Sequence, residues 1–509
     1  MSISSSRRQF IKTAASASAF AGMSQLGFLN RLPLVSAEEA KPDPKIVQLS
    51  DDIEPLVRLM EETRREKLLE AVAERIQKGT SYREVVAALL LAGVRNIQPR
   101  PSVGFKFHAV LVVNSAHLAS ISSPDEQRWL PIFWALDQFK SSQARDVEEN
   151  NWTMPPVDES RVPPAHKARA MFIEAMDNWD ESKADVAAAA LARSAGSNEL
   201  FDLFARYGCR DFRSIGHKAI YVANAWRTLN CVGWQYAEPV LRSLTYALLA
   251  TEGKGNPAES DFEADRPGRQ NVAKAKKLRD DWQHGKVDSQ ATKDLMSTIY
   301  GGETADLCDQ IVDAINRGVS PQSCWDALLV GSGELLMRQP GIVGLHTLTT
   351  TNAMRYAFDT AGDDETRKML LLQNAAFLPM FRAGMNGRGK VEPHKVSELE
   401  PAEIPADNSA ALDKIFEAVS GNRMQAARET LAYARANPQP HDFINRARTL
   451  VFLKGRDSHD YKFSSAVLED YLHVSPEWRD RFLATSVFNL RGSGGANNPL
   501  VERTQAALA

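Results

Sequence analysis

Four histidines recur at comparable places in four helical hairpins of this 509-residue chain: His108, His217, His346 and either His441 or His459. Imidazoles on facing helices of a bundle are a recurrent way to hold a transition metal or a haem. An Asn, and often an Arg, lies further along the helix each time. Asn224 and Arg227 follow His217; Asn352 and Arg355 follow His346. These four are the candidate catalytic residues, with Arg227 and Arg355 suited to an anionic substrate or to charge that develops during a reaction. The histidines are the candidate metal ligands, or general bases.

Helix geometry limits which of these can act together. His217 and Asn224 are about two turns apart and share a face, whereas Asn352 lies about 240° round the helix from His346. Asn114 and His117 share no face with His108 unless the helix begins after it. A histidine that caps a helix or bonds a core carbonyl is the plain structural alternative at each position, and a duplicated gene copies structural residues too. Asp211, Glu238 and Asp457 lie near Arg or His and are secondary candidates, as metal ligands or as partners of ligands.

The common catalytic signatures are missing. There is no H-E-x-x-H, G-x-S-x-G, P-loop or G-x-G-x-x-G, and no C-x-x-C-H for haem attachment. Cys209, Cys231, Cys308 and Cys324 form no C-x-x-C pair. Pairing of Cys209 with Cys231 and of Cys308 with Cys324 is one expectation, and buried thiols are the other. A net charge of −3 with interspersed signs offers no basic face for nucleic acid.

The elements that must carry the histidines read as helices throughout, so the expected class is all-α. Leu56, Leu59, Met60, Leu68, Leu69, Val72 and Ile76 keep helical spacing until Gly79. Ser81 and Glu84 form a capping box for the next helix. Phe105–Val113 reads as a buried helix rather than a strand. The second half echoes the first. Ile76-Gln77-Lys78-Gly79-Thr80-Ser81 matches Ile315-Asn316-Arg317-Gly318-Val319-Ser320, and Asn224–Leu229 matches Asn445–Leu450. Two homologous lobes, 54–250 and 295–475, are therefore expected, with chance similarity among helices as the alternative. The partner helices of the four hairpins are read at Leu130–Lys140, Val240–Leu249, Glu365–Arg382 and Phe463–Leu472. A charged segment, 251–294, separates the lobes, and 476–509 reads as a C-terminal tail, flexible in its Gly-rich part.

The chain opens with Ser6-Arg7-Arg8-Gln9-Phe10-Ile11-Lys12, which has the form of a twin-arginine export signal. An interrupted apolar stretch follows, and Val35-Ser36-Ala37 fits a cleavage site. Residues 1–37 are thus read as a leader and 38–53 as a spacer. The expectation is a periplasmic protein, handed folded to the twin-arginine translocation machinery, with no stable membrane insertion after cleavage. Folded export raises the expectation of a bound group.

Two stretches carry a family resemblance. Gly104-Phe105-Lys106-Phe107-His108-Ala109-Val110-Leu111, and Gly344-Leu345-His346-Thr347-Leu348-Thr349 with Asn352-Ala353-Met354-Arg355, resemble the His-bearing helices of questin oxidase-like proteins. That resemblance implies a helical, His-containing oxygenase and so oxygen chemistry, without assigning a role to any residue. Two functions follow: an exported oxidoreductase-like protein acting on a small molecule through a metal or other cofactor, or a non-catalytic helical scaffold or ligand-binding protein of the cell envelope.

Overall fold

Four helices that are buried on nearly every side form the centre of the protein. They are α1 (His108–Ile121), α2 (His217–Val232), α3 (Ile342–Thr360) and α4 (Ser458–Asp470). A helix buried all round needs small and apolar residues on every face rather than on one stripe. The run from His108 to Ile121 meets that need, leaving only Leu118 and Ile121 partly accessible. The computed structural model describes residues 32–35, 53–100, 102–251 and 253–507. Among them are 22 α-helices and no strand, with a single isolated bridge between Lys286 and Val319.

The four central helices pack as a ring, α1 on α2, α2 on α3, α3 on α4 and α4 on α1. All four histidines sit within the first five residues of their helices, so the helices run parallel, away from one shared end. Two of the ring helices come from 54–250 and two from 295–475, which puts the ring between the two expected lobes. Outer helices cover it. Trp129–Glu149 packs on α1, Ala237–Leu248 on α2 and Asp364–Met385 on α3.

Local signals hold where they were read. Ser81 accepts from the Glu84 amide, and the Glu84 carboxylate accepts from the Ser81 amide. Gly79 and Gly318 both have positive φ, +106° and +96°, and each is followed two residues later by a serine that caps a helix. The matching segments thus share one local device: a left-handed glycine that ends one helix, then a cap that starts the next.

The fourth hairpin differs from the expected one. The helix His441–Lys454, which carries the Asn445–Leu450 match, stands outside the ring. Its successor, α4, was expected to be the partner helix and is instead the ring member. The C-terminal segment 476–509 also differs from a tail. Helices form at Pro476–Thr485 and Pro499–Ala507, and the Asn498 amide donates to Leu453 O at 2.7 Å. Small residues let this segment lie flush on its neighbours. None of the four cysteines is in a disulfide; all are buried thiols, and burial pushes each up to about 12.

The export heptad lies outside the described residues. Just before the expected cleavage position, Leu32 and Val35 are buried, the Trp129 indole N–H donates to Pro33 O at 2.8 Å, and Arg128 bonds Val35 O. No helix among the described residues is long and apolar enough to cross a membrane.

Candidate metal centre

His108, His217, His346 and His459 meet at the common end of the ring. Neighbouring ring centroids are 4.8 Å apart for His108–His217, 4.7 Å for His217–His346, 5.4 Å for His346–His459 and 4.6 Å for His459–His108. His217 Nε2 is 2.9 Å from His108 Nε2 and 3.1 Å from His346 Nε2. His108, His346 and His459 each offer a ring nitrogen within 4.8 Å of the others.

The outer nitrogen of every ring is held by an oxygen. His108 Nδ1 lies 2.8 Å from Phe105 O, His217 Nδ1 2.6 Å from Ser214 O, and His346 Nδ1 2.6 Å from Ile342 O. His459 Nδ1 faces Asp457 Oδ1 at 3.3 Å. A carbonyl oxygen only accepts, so Nδ1 must carry the hydrogen, and Nε2 is left with its lone pair facing inward. Those lone pairs repel one another at 3 Å unless a cation lies among them. His459 Nε2 is buried with no hydrogen-bond partner, an orphan of the kind that a metal ion satisfies.

Distances support one ion. Two nitrogens each ~2.1 Å from a metal stand ~3.0 Å apart at a right angle and ~3.4 Å apart at the tetrahedral angle. The 2.9 and 3.1 Å separations are close to the first of these. Rings this close leave room for a single ion and none for a porphyrin.

Local backbone strain aims two of the rings. Phe105, whose carbonyl receives His108, has φ +50°. Before His217, three successive residues are left-handed: Ser214 at φ 56°, Ile215 at 50° and Gly216 at 83°. A β-branched residue in that region is costly. Buried ion pairs on both sides hold the turn. Arg213 pairs with Asp265 at 2.9 and 2.6 Å and also donates to Thr251 O and Gly255 O. Lys218 pairs with both oxygens of Asp211 at 2.9 Å. Asp211 is therefore a buried anchor and not a ligand.

Burial keeps three of the rings neutral. His108, His217 and His346 are held well below the ordinary histidine range, first by loss of water and then by the charge of Lys462. Parallel helix N-termini act in the same direction. Lys462, one turn after His459, puts Nζ 3.3 Å from His217 Nε2. Its removal from water lowers it to about 7. Nothing in the spacing of the repeated histidines pointed to Lys462; the clue was only that it follows His459 by three residues.

Further along the ring lies a polar layer. Asn114 Nδ2 donates to Asn224 Oδ1 at 3.2 Å, and Asn224 Nδ2 to Leu111 O at 3.0 Å. Arg227 donates to Asn352 Oδ1 at 3.2 Å and pairs with Glu469 at 2.6 Å. Asn352 donates to Glu469 and Asp470 at 2.7 and 2.9 Å. Between this layer and Lys462 lies a cavity of about 10 Å³, room for roughly one water. Asn224, Asn352 and Arg227 thus share one site. Arg355 does not join them: it pairs with Asp359 at 2.8 Å and lies over the Trp325 ring.

Three other residues weighed in the sequence lie elsewhere. His441 is exposed at the start of its helix, because the ring needs the histidine one hairpin-turn later. His117 bonds the Tyr82 hydroxyl at 3.0 Å, away from the cluster. Glu238 pairs with Arg193 at 2.6 Å on the surface side. Asp457 alone of the three secondary acids reaches a clustered histidine.

Comparison with known proteins adds no relative: no protein-family model, no curated protein and no solved structure matches the chain.

Proposed function

We propose that the four histidines hold one transition-metal ion and that the protein is an exported, metal-dependent oxidoreductase acting on a small molecule. The observation that carries the reading is the orientation of the rings: each Nδ1 is tied to an oxygen and the Nε2 atoms turn inward, with His217 Nε2 against those of His108 and His346 and with His459 Nε2 left without a partner. Imidazole donors suit zinc, copper, iron and nickel. The resemblance of the His108 and His346 segments to questin oxidase-like helices favours a redox metal among these.

When bound, such an ion supplies Lewis-acid or one-electron chemistry. The chain's own residues do the rest. The carbonyls of Phe105, Ser214 and Ile342 and the Asp457 carboxylate fix the ring tautomers. Lys462, near neutrality, can hold or release a proton beside His217. Neutral histidines leave the ion's charge uncompensated, which favours an anionic ligand group. Arg227, Asn224 and Asn352 line the cavity that leads to Lys462 and would orient a water or a ligand of that size there.

The test is metal analysis of the purified full chain by mass spectrometry, with visible and electron paramagnetic spectra. About one equivalent of a redox metal is expected. A metal-free, colourless protein that still acts on substrate would overturn the reading. Export is tested separately with the paired variants Arg7→Lys and Arg8→Lys, which should hold the protein in the cytoplasm.

A further inference from the structure

A second cavity, of about 560 Å³, opens on the surface where four chain segments meet. Its walls are the end of helix Asn408–Gly421, the start of helix Arg423–Ala436, the turn from Lys454 to Arg456, and the Gly-rich stretch after Arg491. Arg423, Lys454, Arg456 and Arg491 all line it. Only Arg491 has a carboxylate partner, Asp460, at 2.9 and 2.7 Å. Arg423 bonds Phe488 O and Lys454 bonds Gly495 O, both neutral acceptors. Among the described residues no carboxylate lies within ion-pair distance of Arg423, Lys454 or Arg456.

Three uncompensated cations around one concavity repel one another and favour an anion between them. Loss of water and then the nearby Arg491 disfavour the charge on Arg423, and Asp460 offsets part of this; an anion in the cavity would relieve the remainder. The loop is built for close approach. Gly494 N donates to Ser420 Oγ at 2.9 Å and Ser493 N to Phe416 O at 2.9 Å. A Cβ on Gly492 would run into Ser420 and Phe416, so only glycine lets the wall lie flush on the helix end. The positive end of the helix that begins at Arg423 is offset by the negative end of helix Asn408–Gly421, which lines the same cavity, so the side-chain cations carry the charge selection.

We infer that this cavity binds a phosphate-bearing small molecule of two or three negative charges. The volume suits a small organic ligand. Guanidinium forks match phosphate oxygens in pairs, and a phosphate monoester brings about two charges at neutral pH. The site is independent of the metal centre and stands whether or not the histidines bind an ion.

Inorganic pyrophosphate is the probe, titrated calorimetrically into the full chain. Saturable binding is expected, weakened about tenfold by Arg456→Gln and by Lys454→Gln and weakened again as salt rises. Arg456 is exposed, so its variant should fold as the parent does. His346→Gln should bind pyrophosphate as tightly as the parent. Absence of saturable binding, or binding that ignores both cation variants, would overturn the proposal. So would binding lost in His346→Gln alone, which would assign the anion to the metal. Citrate should bind about tenfold more weakly; equal or tighter binding would overturn the phosphate class.

Discussion

His108 Nε2 and His217 Nε2 stand 2.9 Å apart, while the Nδ1 of each ring bonds a main-chain carbonyl. Two neutral imidazoles so arranged present lone pair to lone pair. The contact is stable when a proton or a metal ion lies between them. Burial and the Lys462 charge oppose the proton; a metal ion there requires Lys462 in its neutral form, and the approach of His346 to the same nitrogen favours the ion.

Removal of one ring should therefore remove the metal rather than the fold. His108→Ala and His346→Ala are expected to lower metal affinity by at least an order of magnitude, as measured by competition with a chromophoric chelator. Stripping the metal from the parent should lower its melting temperature, because ligand that binds only the folded state stabilises it. His441→Gln should change neither property, since His441 is exposed and remote from the cluster.

Asp457 orients His459 from the solvent side. Asp457→Asn keeps the helix cap but removes the charge behind the ring. We expect metal affinity to fall about 10- to 100-fold with little change in circular dichroism. Unchanged affinity would mean that His459 is not a ligand.

Gly216 tests the strained turn. Its φ is +83°, and a Cβ there would collide with the Oγ1 and Cγ2 of Thr350 on α3. Gly216→Ala should destabilise the protein by roughly 1–3 kcal/mol from backbone strain and by a further amount from the clash. The double variant with Thr350→Ala should recover the clash and not the strain. Denaturant unfolding would separate the two contributions. Full recovery in the double variant would show that the backbone is unstrained.

Lys462 gives the metal-free protein a pH signature. In the folded state it keeps its proton only to about 7, against an ordinary value of 10.5. Between these values the unfolded chain binds more protons, so stability should rise with pH, by up to about 1.4 kcal/mol per unit. Lys462→Met should flatten the rise between pH 7 and about 9. The histidines act lower down. Their folded values lie below 6.5, so stability should fall as pH drops through and below 6.5 and the unfolded chain takes up protons. Thermal melts of chelator-treated protein across this range check both statements.

The local architecture was legible in the sequence because its causes are local. Helical spacing through Leu68, Val72 and Ile76, the Ser81–Glu84 box, and the glycines at 79 and 318 each involve a few neighbouring residues. They determined an all-α chain with histidines at helix starts. The composition of the centre was not legible in the same way. The ring places His108, His217, His346 and His459 together from four helices far apart in the chain, and only their packing chose His459 over His441. That same packing brought Lys462 into contact with His217 and turned Arg355 away from the layer that holds Arg227. Ser214 and Ile215 adopt left-handed backbone that their residue types disfavour, because the buried Arg213–Asp265 and Lys218–Asp211 pairs hold the turn in place. Sequence determined which residues could serve as ligands; long-range packing decided which of them meet.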